Sequence, residues 1–170
     1  MTHVLVTYAS KHGSTAEVAR RIALALVEAG LKADVMPVGD VAAVGSYDAV
    51  VLGSSVYFGK WAGEAVSFAD QNQAHLANRA VWLFSVGPLG DQPRNDPADI
   101  ARLVTSTKAV NHHLFAGALN VRDLSFVERV IVKGVKAPMG DFRDWNEIDS
   151  WGATIAQQLN SSRVDAAPIV

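Results

Sequence analysis

Three short stretches hold side chains that a stable core would not require in those places. The first is Ser10-Lys11-His12-Gly13-Ser14-Thr15, with three hydroxyls, a glycine and a run of backbone N–H groups where a helix is predicted to begin. A helix N-terminus carries roughly half a positive charge and leaves its first amides unpaired, so it suits a phosphate. Neither G-x-x-x-x-G-K-[ST] nor G-x-G-x-x-G is present. That disfavours a nucleoside triphosphate or a pyrophosphate and points to a monophosphate. The same residues also fit a well-capped helix after a tight turn, since Ser14 and Glu17 stand in capping-box spacing. On sequence alone both readings stay open.

The second stretch is Gly53-Ser54-Ser55-Val56-Tyr57-Phe58-Gly59-Lys60-Trp61, and the third is Ser85-Val86-Gly87-Pro88-Leu89-Gly90. Aromatic rings on a surface loop cost stability unless they cover something. A flat heteroaromatic ligand stacked on Tyr57, Phe58 or Trp61 would be such a partner. The competing reading, stronger for Trp61 than for Tyr57, turns these rings inward onto neighbouring helices. Glycines in the third stretch let backbone amides and carbonyls approach a ligand edge. Together the three stretches describe a site for a flat, phosphorylated molecule.

The elements that position them follow from periodicity. Residues 4–8, 33–37, 49–52, 80–84 and 114–119 read as short, apolar, β-branched strands. Helices are predicted from Ser14 to a stop at Gly30, over 62–76, from Asp96-Pro97 with Ile100, Leu103, Val104 and Val110 inward, and from Asp144 onward. In the last helix Trp145, Ile148, Trp151, Ile155 and Leu159 share a stripe, and Glu147 stands three residues after the cap. Strands this apolar must be covered on both faces. The expected architecture is therefore an α/β fold, a doubly wound parallel sheet with ligand-binding loops outside the strand C-terminal ends. Segment 120–142 is too long for a simple connection and reads as an insertion in one domain spanning 1–160, with 161–170 as a loose tail.

Composition narrows the partners. The chain has 170 residues, 49% of them apolar and 19% charged, and a formal net charge of -2. No long-range attraction to nucleic acid or to an anionic membrane is expected. With no cysteine, disulfides, thiolate metal sites and a cysteine nucleophile are excluded. No apolar run approaches the ~18 residues of a spanning helix, so a cytoplasmic protein, peripheral to the membrane at most, is expected. His112 and His113 are neighbours on a predicted strand and point to opposite faces, so they do not chelate one metal ion together.

The first stretch resembles the phosphate loop of flavodoxins, with His12 where many members carry another hydroxyl. The resemblance implies a flavodoxin-like five-stranded parallel sheet in the order 2-1-3-4-5, with FMN at its switch point. Within flavodoxins the chain is similar to the menaquinone-dependent protoporphyrinogen oxidases of bacteria. That similarity rests on residues 53–59, on Ser85-Val86, on Ala116-Gly117-Ala118-Leu119, on residues 126–133 and on Asp144-Trp145. It implies that Ser10, Gly13, Ser14 and Thr15 hold the FMN phosphate, with Lys11 and His12 beside it. Ser54, Ser55, Val56, Tyr57, Phe58 and Gly59, with Ser85, Val86, Gly87 and Gly90, would frame the ring.

The activity implied is FMN-dependent transfer of electrons from a porphyrinogen-type substrate to a quinone, with no protein acid or base assigned. The alternative is an electron carrier that docks to a redox partner protein, although such carriers are usually more acidic than this chain. Residues 124–136 mix apolar side chains with Arg129, Lys133 and Lys136. Such a segment suits a membrane interface. The reading favoured here, because the segment is short and only modestly basic, packs its apolar side on the sheet.

Overall fold

The computed structural model describes residues 1–87, 89–90, 93–136 and 138–165. Five parallel strands form the centre: β1 (His3–Ala9), β2 (Lys32–Pro37), β3 (Ala49–Tyr57), β5 (Ala80–Val86) and β6 (Asn111–Phe115). They lie in the order β2-β1-β3-β5-β6, which is the 2-1-3-4-5 order of the long strands. A short β4 (Lys60–Trp61) folds back antiparallel on the end of β3.

Alternation along the strands sends side chains to two cores. Val4, Val6 and Tyr8 join Val51, Phe84 and Phe115 under α1 (Ser14–Glu28) and α6 (Trp145–Asp165). Leu5, Val50, Leu52, Val81 and Leu83 face α2 (Gly63–Gln71), α3 (Gln73–Leu76) and α4 (Ile100–Thr107). Helices therefore cover both faces, and only the strand ends remain for a ligand.

Several boundaries differ from the sequence reading, each for a local reason. The third strand runs on through Tyr57, because Gly53, Ser54 and Ser55 pair with strands on one or both sides. Residues that look like a loop by propensity are thus held by tertiary pairing. The second predicted helix divides at Asn72, whose side-chain amide donates to the Phe68 carbonyl. The next helix starts at Ile100 rather than at Asp96-Pro97, because Asp96 lies against His112 instead of capping a first turn. Val110 lies beyond that helix and is exposed, not inward. The fifth strand begins at Asn111 and ends at Phe115; a separate β7 (Ala118–Leu119) pairs with β8 (Gly140–Asp141).

Segment 120–142 leaves and returns through that small β7–β8 ribbon. It contains a 3-10 turn (Val121–Asp123) and α5 (Phe126–Gly134). α6 is capped by Asp144, whose carboxylate accepts from the amides of Asn146 and Glu147. The helix continues to Asp165, so 161–165 prolong it, while the rest of the expected tail lies outside the described residues.

Gly53 has a steric duty in this fold. A Cβ there would lie 2.0 Å from the Phe84 ring, which is fully buried and packs edge-on against Phe115 and Trp151. Gly53→Ala should destabilise the protein by about 3 kcal/mol or more, at the upper end of overpacking costs. A urea denaturation series checks it.

Candidate functional site

The loop after β1 turns into α1 with Gly13 at the N-cap, φ 92°, a conformation that favours glycine. Ser10 Oγ accepts from the Gly13 amide at 3.1 Å, which closes the turn. No side chain caps α1, and Glu17, expected to complete a capping box with Ser14, pairs with Arg143 instead. The first-turn amides are thus left to an external anion. Thr15 adds a second sign: its Oγ1 is fully buried and has no hydrogen-bond partner, a condition shared among the described residues only by Thr7. Thr15 also lines the adjoining cavity.

That cavity, of about 170 Å³, runs from Ser10, Lys11, His12, Ser14 and Thr15 to Ser55, Val56, Tyr57 and Phe58, and on to Val86 and Gly87. These were expected from sequence, and the fold brings them together. Gly117, Ala118, Leu119, Leu89, the α5 residues Ile131 and Val132, and the C-cap residue Val135 complete the walls. Sequence reasoning misses the α5 wall, because it packs the apolar side of residues 124–136 on the sheet. The spacing of that wall (131, 132, 135) is the available signal.

Four expected ring contacts lie elsewhere. Ser54 Oγ donates to the Ser55 carbonyl and accepts from the Ala62 amide. Ser85 Oγ accepts from the Trp61 indole at 2.7 Å and shares a 2.8 Å hydrogen bond with His112, whose pKa is lowered, chiefly by burial. Both hydroxyls brace the β3–β4 hairpin rather than face the cavity. Gly59 forms the hairpin turn, and Gly90 lies against Pro138 of the insertion. Trp61 does turn inward, as its competing reading held.

The hairpin turn itself is strained. Phe58 has φ 48°, uncommon for a bulky residue, and leaves its ring 81% exposed at the cavity mouth. Next to it, Tyr57 Oη hydrogen-bonds His12 at 2.8 Å, and Lys11 Nζ lies 4.6 Å from the Tyr57 ring centre. Burial raises the Tyr57 phenol pKa. Lys11 also forms a 2.6 Å ion pair with Glu128 of α5, and His12 lies 3.5 Å from the same carboxylate.

Across the β1–α1 loop lies a larger polar cleft of about 450 Å³, lined by Glu17, Asp123, Asp141 and Arg143 among others. Its Arg143 is already shared between Asp141 and Glu17. The smaller cavity, walled by Val56, Val86 and Leu119, is the one suited to a flat ring. No group of three or more potential metal ligands occurs among the described residues, and His112 and His113 face opposite partners, Ser85 and Glu147.

This order of strands, with an uncapped helix start and an apolar slot at the switch point, defines a flavodoxin-type protein. The flavodoxin domain model matches residues 5–146, and the chain belongs to that family. It is 22% identical to the protoporphyrinogen IX dehydrogenase [quinone] of Escherichia coli strain K12, over 89% of this chain and 93% of that protein. In fold it is similar to a flavodoxin from the domain Archaea (TM-score 0.62, 18% identity, 94% of this chain and 99% of that one). It also superposes on the flavodiiron protein of Giardia intestinalis (TM-score 0.65, 12% identity), over 99% of this chain but 38% of that longer one.

FMN is the cofactor of this family, and the residues present fit it. Unpaired amides and the unpartnered Thr15 hydroxyl suit its phosphate, and the apolar slot suits its ring. Thr15→Val keeps shape and removes the orphaned oxygen, so the fold should lose no stability. FMN binding should weaken about ten- to a hundredfold, the scale of one hydrogen bond to a charged group; flavin fluorescence titration and a urea midpoint read the two effects separately.

The Glu128 carboxyl is held down to about 2, first by the hydrogen bond from Lys11 and then by the Ser125 amide. A depressed pKa means the contact stabilises the fold above the ordinary carboxylate value of 4.5 and fades as pH falls from there towards 2. Carbon-detected NMR should therefore find this carboxyl titrating near 2, with Lys11→Met returning it most of the way to 4.5.

Proposed function

We propose that the protein is an FMN-dependent oxidoreductase that takes electrons from a porphyrinogen-type small molecule and delivers them to a quinone. Bound FMN supplies the redox chemistry, accepting and releasing two electrons at its ring. The chain's own residues bind and orient. The α1 amides and Thr15 hold the phosphate, Lys11 and His12 lie beside it, and Tyr57 and Phe58 border the ring. No side chain is assigned as acid or base.

One observation carries the choice of acceptor: α5 stands beside the ring cavity and buries none of its residues. Phe126 is 81% exposed, and Val127, Val130, Ile131 and Val135 are also open, with Arg129, Lys133 and Lys136 among them. This corrects the expectation that the apolar side packs away on the sheet. Apolar groups with flanking cations suit the inner face of a cell membrane, where a lipid-soluble quinone is met. Among the described residues, no helix is long and apolar enough to cross a membrane. The similarity to the E. coli quinone-linked dehydrogenase over nearly the whole of both chains supports the same reading.

The carrier reading fits the same family and the same cofactor. A net charge of -2 gives it little electrostatic steering towards a basic partner. Anaerobic titration of the FMN-loaded protein with protoporphyrinogen should bleach the flavin, and a soluble quinone should restore the colour. If porphyrinogen and NAD(P)H both fail while a partner reductase bleaches it rapidly, the protein is a carrier.

A further inference from the structure

We infer that Glu128 competes with the phosphate of FMN for Lys11, and that the Lys11–Glu128 pair latches α5 over the ring cavity until phosphate draws Lys11 away. The inference rests on FMN being the cofactor and concerns how this chain admits it.

Glu128, Ile131 and Val132 fall on one face of α5, at the spacing of successive helical turns, and Val135 caps its C-terminal end. The last three line the cavity, while Glu128 reaches Lys11 at 2.6 Å and approaches His12 at 3.5 Å. Under this face the cavity holds about 170 Å³. Sites for drug-sized ligands usually run to roughly 300–1,000 Å³. A tricyclic ring with its ribityl chain therefore needs α5 to move outward.

Little within the helix resists that movement. α5 itself buries no residue; the insertion is tied to the body on either side of it, by the β7–β8 ribbon, by buried Leu124 before the helix and by Pro138 against Gly90 after it. The ion pair with Lys11 is the short charged contact between α5 and the phosphate loop. A phosphate monoester at the α1 amides would lie in that same loop and carry a charge of about -1.5 to -2 at neutral pH. One ammonium then faces two anions, and the more highly charged phosphate, supported by the helix N-terminus, wins. Repulsion between phosphate and carboxylate pushes α5 the same way.

Glutamine is the informative replacement. Glu128 also closes a capping box: its carboxylate accepts from the Ser125 amide, and Ser125 Oγ accepts from the Glu128 amide. Gln serves equally well at that position, so Glu128→Gln keeps the α5 start and removes only the charge. FMN should bind this variant roughly two- to fivefold more tightly, the scale of one exposed ion pair. A second readout follows the chain itself. A water-soluble carbodiimide joins amines to carboxylates in direct contact, so wild-type protein should yield a Lys11–Glu128 cross-link by peptide mass mapping. Saturating FMN should suppress it relative to the chain's other cross-links, and so should inorganic phosphate, which brings the charge without the ring that moves α5.

Bound FMN with an undiminished cross-link, or Glu128→Gln binding FMN no better than wild type, would overturn the latch and leave the cofactor reading intact. A cross-link that inorganic phosphate leaves undiminished would overturn the competition for phosphate. A protein that takes up no FMN would overturn the cofactor reading and the latch with it.

Discussion

The amides at the start of α1 point out of the protein with no side chain to receive them, and most of the site's geometry follows from that. β1 is flanked by parallel partners on both sides, so its C-terminal end cannot shift. α1 packs back onto the sheet and onto α6, where a Cβ on Gly152 would stand 2.9 Å from Ala25. The helix start is therefore a fixed concentration of positive potential beside a buried, unpartnered threonine hydroxyl. An anion there completes hydrogen bonds the chain itself leaves unmade.

The second half of the site is held by hydroxyls that never reach it. Ser54 anchors the Ala62 amide and Ser85 anchors the Trp61 indole, with His112 behind it and Asp96 3.3 Å from that imidazole. These contacts pin β4 and hence the Phe58–Gly59 turn, where a bulky residue tolerates a left-handed conformation. The strain persists because the flanking hairpin is overdetermined. A flat ligand gains two aromatic borders that need no reordering when it arrives.

α5 follows a different logic. It is well capped, apolar on more than one side and buried on none, so tertiary packing does not explain its apolar content. Its inward face closes the cavity through side chains and a carboxylate, and its outward face offers Phe126, Val127 and Val130 beside basic groups. On the proposed function, this one short helix would both cover the ring cavity and present the surface on which a lipid-soluble partner is met.

Much of this was written locally in the chain. Apolar runs of β-branched residues separated by amphipathic segments dictate a parallel sheet with helices on both faces, because neither element can bury itself alone. The hydroxyl and glycine content of residues 10–15 points to an anion site, since a helix start needs nothing beyond local backbone to become one. What tertiary structure decided is which side of each strand a residue faces. Ser54 and Ser85 read as ligands but alternate away from the slot, and Glu17 abandons the expected cap for Arg143, which is distant in sequence. The placement of α5 against Lys11 was likewise illegible, because an ion pair between residues 11 and 128 is chosen by the fold and leaves no periodic trace.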